Sequence, residues 1–331
     1  MRIRIIKPGL LSTVQDLGRN RYLSQAVPVS GAMDTLSARI ANIAVGNQDN
    51  AAVIEFTYAG IEFKADTDIL IAYAGDGAIL KAGTQSLPAE RPVFIPSGTI
   101  LHLTNNPTGS RTYLSVSGGW DVPEILGSRS TYLTASFGGF KGRPLQSGDI
   151  LSSIIPLPAM AQKIFTSLKS DVINYPKWGL ARQFLLPQNR KSVRVVPGRE
   201  FTWFTGRSLV GFLSSPYTLS LHSNRMGCHL EGAVIERVVK DELLSTAVTP
   251  GTVQVTGNGG LIILMADCQT TGGYPRIAQV AAVDLPIYGQ LKPGDAIYFN
   301  EISHHEAEML YLDREHQLQK LKIAVQNKFN E

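Results

Sequence analysis

Cysteine is scarce in this 331-residue sequence, where only Cys228 and Cys268 occur. Each lies in a polar, turn-like motif, and two thiols cannot build a disulfide framework, so a reducing cytoplasm is the expected compartment. The histidines at positions 102, 222, 229, 304, 305 and 316 do not fall into metal-ligand spacing with either cysteine, which argues against a zinc site. No run approaches the ~18 consecutive apolar residues of a membrane span. The N-terminal stretch Met1 to Lys7 begins basic, but Pro8-Gly9 interrupts it before the apolar core of a signal peptide would form. Charge of one sign is not in large excess: the formal net charge is +4, and the basic residues are scattered rather than interleaved with aromatics, so nucleic-acid binding is not expected. A Gly-x-x-x-x-Gly-Lys-Ser/Thr loop and a Gly-x-Ser-x-Gly elbow are both missing, which removes a P-loop nucleotide site and a Ser/His/Asp hydrolase of that type.

What the sequence does have is apolar content for a core, with 44% hydrophobic and 18% charged residues, and a length that suits roughly two domains. Its 31 glycines and 18 prolines point to many turns between short strands, hence a β-dominated fold. Alternating or apolar runs read as strands at 2–6, 69–74, 100–103, 113–117, 193–196, 261–265 and 296–299. A helix is predicted after Asp34 as N-cap, with Leu36, Ile40 and Ile43 on one face and Gly46 as its stop. A short helix is predicted over 159–168, inside an irregular stretch that reads as a linker. A surface helix with Leu310, Leu318, Leu321 and Val325 at helical intervals is predicted over 307–329. The stretches 137–150 and 290–297 echo one another, each placing a Gly-Asp turn after Leu and just before a closing strand, suggesting two β domains of related design. The expected boundaries are a β domain at 1–152, a linker at 153–192, a barrel domain at 193–303 and a helical tail at 304–331.

Four motifs hold most of the chemistry. Residues 266–275, Ala-Asp-Cys-Gln-Thr-Thr-Gly-Gly-Tyr-Pro, follow a strand and crowd an amide, hydroxyls, paired glycines and a phenol into one turn. Such a turn either holds a small polar ligand or simply reverses the chain. Pro8 to Arg19 and Val27 to Asp34 place hydroxyl, amide and carboxylate groups just before a helix N-terminus, where they either meet an anion or cap the helix. Ser223 to Gly232 offers Arg225 either as a bidentate clamp for a carboxylate or phosphate, or as an internal brace.

Taken together, Pro-Gly-x-x-x-Thr-Val-Gln-Asp-x-Gly-Arg from Pro8, Ser30-Gly31-Ala32-Met33-Asp34, Asn224-Arg225-Met226-Gly227-x-x-Leu230-Glu231-Gly232 and Gln269-Thr270-Thr271-Gly272-Gly273-Tyr274-Pro275 resemble one family. It is the C-subunit family of bacterial ATP-dependent 5-oxoprolinase, also described as KipA and related to allophanate hydrolase subunit 2 and the carboxyltransferase domain of urea carboxylase. The sequence departs from it at His229 and Cys268, where arginine is expected. The resemblance implies a mainly β fold of two cyclophilin-like β-barrel domains with a few short helices. It implies partners, the KipI-like B and the A subunits of 5-oxoprolinase, and ATP-driven opening of the 5-oxoproline lactam to glutamate. ATP would be used by the complex and not bound here through a P-loop. The alternatives are a carboxyltransferase component of a urea-type biotin-dependent carboxylase, and a non-enzymatic KipI antagonist acting on a sensor kinase. No Met-Lys biotin-attachment pair occurs, so biotin would sit on another protein. On this reading Thr270, Thr271, Gly272, Gly273 and Arg225 are the expected catalytic residues, and Gln254, Gln269, Tyr274, Asp34, Met33 and Asn224 line the pocket for an amide or lactam. Donors aimed at a developing oxyanion, sheltered from water, are what such chemistry requires.

Overall fold

A computed structural model describes residues 1–329 of the chain. They form two compact units, each assembled from separate stretches: residues 1–18, 34–184 and His316 onward in the first, residues 19–33 and 185–315 in the second.

The first unit rests on alternation. In Arg2–Pro8 the side chains of Ile3 and Ile5 are buried while Arg2 and Arg4 are exposed, the period-two pattern of a strand with one wet face. This strand belongs to a six-stranded antiparallel sheet in the order Ile150–Ser152, Arg2–Pro8, Ile61–Ala65, Ile100–Asn105, Ala78–Ala82, Gln85–Ser86. A five-stranded antiparallel sheet runs Leu11–Gln15, Val53–Thr57, Arg111–Val116, Ile69–Gly75, Val93–Ile95. One core draws Ile3, Ile5 and Phe63 from the first sheet and Phe56, Ile71 and Leu114 from the second. Strand Ile69–Gly75 is buried on both faces, because helix α1 (Thr35–Ala44) packs on it and on Arg111–Val116. The small residues Ala72 and Ala74 alternate with the core-facing Ile71 and Tyr73 and let that helix approach. Asp34 caps α1, accepting from the Ser37 backbone N–H at 2.9 Å. Helix α2 (Ala159–Leu168) buries Ala161 and Ile164 and sets Phe165 against Phe94, 5.7 Å between ring centroids. Residues 153–184, read from sequence as linker, therefore group with the first unit.

The second unit is a closed seven-stranded barrel, in the order Ser192–Pro197, Arg276–Val280, Thr252–Val255, Leu261–Leu264, Gly227–Glu231, Tyr217–Leu219, Ala296–Glu301. Closure comes from a parallel pairing of Ser192–Pro197 with Ala296–Glu301. Helix α3 (Gly206–Ser214) packs on Ala296–Glu301, with Phe212 stacked on Phe299 at 4.4 Å. Helix α4 (Leu285–Gln290) adds Ile287 and Tyr288 to the barrel core. Helix α5 (His304–Lys328) follows the last strand, and its part from His316 on, with buried Leu318 and Val325, belongs to the first unit. Among the described residues no helix is long and apolar enough to cross a membrane.

The expectation of two cyclophilin-like β-barrels is corrected by this architecture. The chain is mixed α and β with one barrel. The sheets of the first unit stay open, ending at Ile150–Ser152 and Gln85–Ser86 in one and at Leu11–Gln15 and Val93–Ile95 in the other. The sequence echo that suggested twin domains is a shared turn chemistry. Gly148 and Gly294 adopt φ of 88° and 90°. Asp149 and Asp295 each accept from a backbone N–H three residues earlier, Gln146 at 2.7 Å and Lys292 at 2.8 Å. A Gly-Asp turn before a strand is a local solution that unrelated folds share.

Candidate functional site

Strand Leu261–Leu264 lies inside the barrel between Gly227–Glu231 and Thr252–Val255. The chain then stays buried through Met265, Ala266, Asp267 and Cys268, and emerges at Gln269. Thr271–Gly272 pairs antiparallel with Thr246–Ala247 to make a two-stranded ribbon outside the barrel. Buried Pro275 then leads into the next barrel strand, Arg276–Val280. Gln269, Thr271, Gly273 and Tyr274 are exposed and Thr270 is half-buried, so the turn is exposed above a buried base.

Two groups expected to touch ligand hold the turn from beneath. Gln254 is 1% exposed and donates from Nε2 to the Tyr274 carbonyl at 3.3 Å. A Cβ on Gly272 would lie 2.5 Å from that same nitrogen, so any larger residue there must displace the Gln254 amide. A Cβ on Gly273 would meet the Leu243 carbonyl at 3.2 Å, which ties the turn to segment 243–245. Arg225 is buried and forks onto Asp267, Nε to Oδ2 at 2.7 Å and Nη2 to Oδ1 at 3.1 Å. Its Nη2 also donates to the Gly31 carbonyl at 2.6 Å. The Asp267 backbone N–H donates back to the Arg225 carbonyl at 2.9 Å. This ion pair thus joins the Ser30–Met33 stretch, the Asn224–Met226 turn and the base of the Gln269–Tyr274 turn. Each of those stretches belongs to a different sequence motif. Ser30 is the one buried non-glycine residue with positive φ among the described residues, at 55°. Strain of this kind persists only where the surroundings fix it.

The remaining expected residues fall elsewhere. Asn224 is exposed and accepts from the Met226 N–H at 2.7 Å, bracing its own turn. Met33 is buried in the core of the barrel unit. Asp34 belongs to the first unit, fully buried. Its carboxylate takes the Ser37 hydroxyl at 2.5 Å as well as the cap, and its oxygen is 3.9 Å from Arg182. Arg182 also binds Glu90 at 2.8 Å and Asp76 at 2.5 Å.

The sequence reading passed over Asp267, although an acid two positions before Gln269 was a visible partner for Arg225. It also passed over a cavity of about 440 Å³ beside the ribbon, lined by Arg199, Ala247, Val248, Thr249, Arg276, Gln279 and His304 among others. That volume suits a small molecule. Arg276 is held there by Glu200, Nε to Oε2 at 2.7 Å and Nη2 to Oε1 at 2.6 Å, and its Nη1 reaches the Ala247 carbonyl at 3.3 Å. Burial alone would raise the Glu200 carboxyl, but these hydrogen bonds from Arg276 outweigh it and hold the group below its ordinary range. At Cys268, burial first and the neighbouring Asp267 charge second push the thiol up to about 12, so it stays protonated at neutral pH and is no nucleophile.

Comparison with known proteins agrees with the arrangement of the motifs. The family described as "Carboxyltransferase domain, subdomain A and B" matches residues 25–301. The chain is 35% identical over 325 residues to the C subunit of 5-oxoprolinase from Escherichia coli, covering 98% of this chain and 99% of that one. It is 34% identical over 323 residues to the C subunit of 5-oxoprolinase from Haemophilus influenzae, covering 96% of each. The crystal structure of the Kluyveromyces lactis urea carboxylase superposes on 97% of this chain with a TM-score of 0.86 and 28% identity, the match taking in 29% of that longer chain. The chain belongs to the 5-oxoprolinase C-subunit family of carboxyltransferase-domain proteins, related to urea carboxylase.

Proposed function

We propose that this chain is the C subunit of an ATP-dependent 5-oxoprolinase and works with the KipI-like B and the A subunits of that enzyme. The observation that carries the reading is the end-to-end match to proteins of that name, combined with an exposed amide-and-hydroxyl turn above a buried base. A lactam carbon is a poor electrophile. Transfer of the γ-phosphoryl group of ATP to the lactam oxygen would activate it, with ADP leaving. Water then adds to the carbon, the ring nitrogen departs as the amine, and a second water releases phosphate from the acyl phosphate to leave glutamate. ATP is a co-substrate of the assembly on this reading, and no residue of this chain is assigned to it.

The chain's own contribution is placement and charge stabilisation. The hydroxyls of Thr270 and Thr271 and the backbone N–H groups of Gly272 and Gly273 would face the oxygen on which charge develops. Gln269 would pair with the amide edge, and Tyr274 would form a wall. Gln254 and Arg225 act one step back, by fixing the turn. A second reading, carboxyl transfer to urea from biotin carried on another protein, is favoured by the superposition on urea carboxylase.

The test is reconstitution. The purified chain alone should convert no 5-oxoproline. The chain co-purified with its B and A partners should release glutamate only when ATP and 5-oxoproline are both present. An assembled complex that makes no glutamate but consumes ATP with urea and bicarbonate, given a biotin-bearing partner, would replace the first reading with the second.

A further inference from the structure

The cavity beside the ribbon has a lining that the turn chemistry leaves unexplained. Its basic side chains are Arg199, Arg276 and His304, and among the described residues no carboxylate side chain lines it. Arg276 is neutralised from behind by Glu200, whose side chain is 4% exposed. Arg199 and His304 are exposed and make no hydrogen bond or ion pair among the described residues, although the charge of Arg199 also acts on the neighbouring Glu200 carboxylate. Glu301 and Glu306 border the adjacent cavity, on the other side of Pro197 and His304, and Glu306 is occupied in capping Ser303 at 2.7 Å. A guanidinium and an imidazole that line one concave space and are hydrogen-bonded to no carboxylate form a receptor for a planar anion. Val248, Thr249 and Ala278 supply an apolar and hydroxyl wall suited to the uncharged remainder of a small ligand.

The cavity also lies in register with the candidate turn. Its lining residue Ala247 is the cross-strand partner of Thr271. Neighbouring strands are ~4.8 Å apart, so one strand spacing separates the backbone of Ala247, at the cavity, from that of Thr271 in the turn. We infer that this cavity binds the carboxylate of the substrate, with Arg199 as the principal cation and His304 beside it, and that it selects acidic lactams over neutral ones. The inference rests on the 5-oxoprolinase reading for the identity of the substrate and on the cavity alone for the charge preference. Arg225, locked to Asp267, is released from the carboxylate role that its sequence context suggested.

The experiment compares the assembled complex carrying wild type, Arg199→Gln or Arg199→Lys, with 5-oxoproline and with the neutral lactam 2-pyrrolidone. Arg199→Gln should raise KM for 5-oxoproline by about tenfold to a hundredfold, as expected for one charge-assisted hydrogen bond, with kcat and thermal midpoint little changed. Arg199→Lys should recover part of the loss, and neither variant should alter the response to 2-pyrrolidone. In parallel, the His304 imidazole resonance of the full chain is followed during titration with 5-oxoproline and with acetate. Saturable movement with both acids and none with 2-pyrrolidone supports the site. If the wild-type assembly is inactive on 5-oxoproline while His304 still moves with acids, the functional reading falls and the anion site stands. Unchanged KM in Arg199→Gln, or a His304 signal that neither acid moves, overturns the inference.

Discussion

Gly272→Ala probes the base of the candidate turn most directly. The φ of Gly272 lies outside the left-handed region, so alanine meets no backbone penalty there, and its whole effect comes from one contact. The new Cβ would sit 2.5 Å from Gln254 Nε2, with the next neighbours at 3.5 Å. Gln254 is 1% exposed, so its amide cannot swing into water and must give up the Tyr274 carbonyl. Losing that hydrogen bond and leaving buried polar groups poorly matched costs about 2–3 kcal/mol, offset by roughly 0.5 kcal/mol from the stiffer unfolded chain. For a unit of this size the thermal midpoint should fall by roughly 4–10 °C. Gln254→Ala removes the obstacle, so the double variant should be less destabilised than the sum of the single ones by about 1–2 kcal/mol. Urea denaturation of wild type, both single variants and the double variant measures that coupling. Additivity within about 0.5 kcal/mol would refute the claim that Gln254 is the support of this turn.

Two further outcomes follow from the ion pairs. Arg182→Met should destabilise the chain by about 3–5 kcal/mol in urea, because Asp34, Asp76 and Glu90 would lose the buried guanidinium they share; a loss below about 1 kcal/mol would show that the cluster relaxes freely. Glu200→Gln should flatten the acid limb of stability: the folded Glu200 pKa is depressed, so its contribution is complete above the ordinary value of 4.5 and disappears as pH falls through the lower folded value. Parallel loss of stability in wild type and Glu200→Gln below about pH 4.5, read by thermal melts, would remove Glu200 as the source.

Much of the local structure was legible because it is decided within a few residues. The α1 cap at Asp34 and its buried Leu36, Ile40 and Ile43 could be read from period and capping chemistry, and the span of α2 was legible too, although no side chain caps it. Partner choice was not legible. Arg225 meets Asp267 across 42 positions and Gly31 across 194, distances over which sequence spacing says nothing about direction. The same holds for barrel closure, which depends on Ser192–Pro197 finding Ala296–Glu301 in parallel. Arg182 was hidden differently, in a stretch without periodicity, because its place is set by Asp76 and Glu90 and not by its neighbours in sequence. The Gly-Asp echo misled for the opposite reason: it was a true local signal, given a meaning at the level of whole domains.

Arg225 and Gln254, expected from sequence to touch ligand, are hydrogen-bonded inside the protein. A buried guanidinium forked onto a carboxylate is strongly held, since removing either partner strands the other charge in a poorly solvated place. Such a pair makes a poor receptor and a good anchor. By clamping Gly31, Asp267 and its own turn at once, Arg225 fixes three segments that local propensity alone would leave mobile. A site that stabilises a transition state needs donors whose positions do not relax as charge develops, and donors on an unsupported loop would reorganise. The division found in this barrel unit meets that need: buried Arg225, Asp267 and Gln254 hold the frame, while exposed Gln269, Thr271 and Tyr274 keep their polar groups available at its edge.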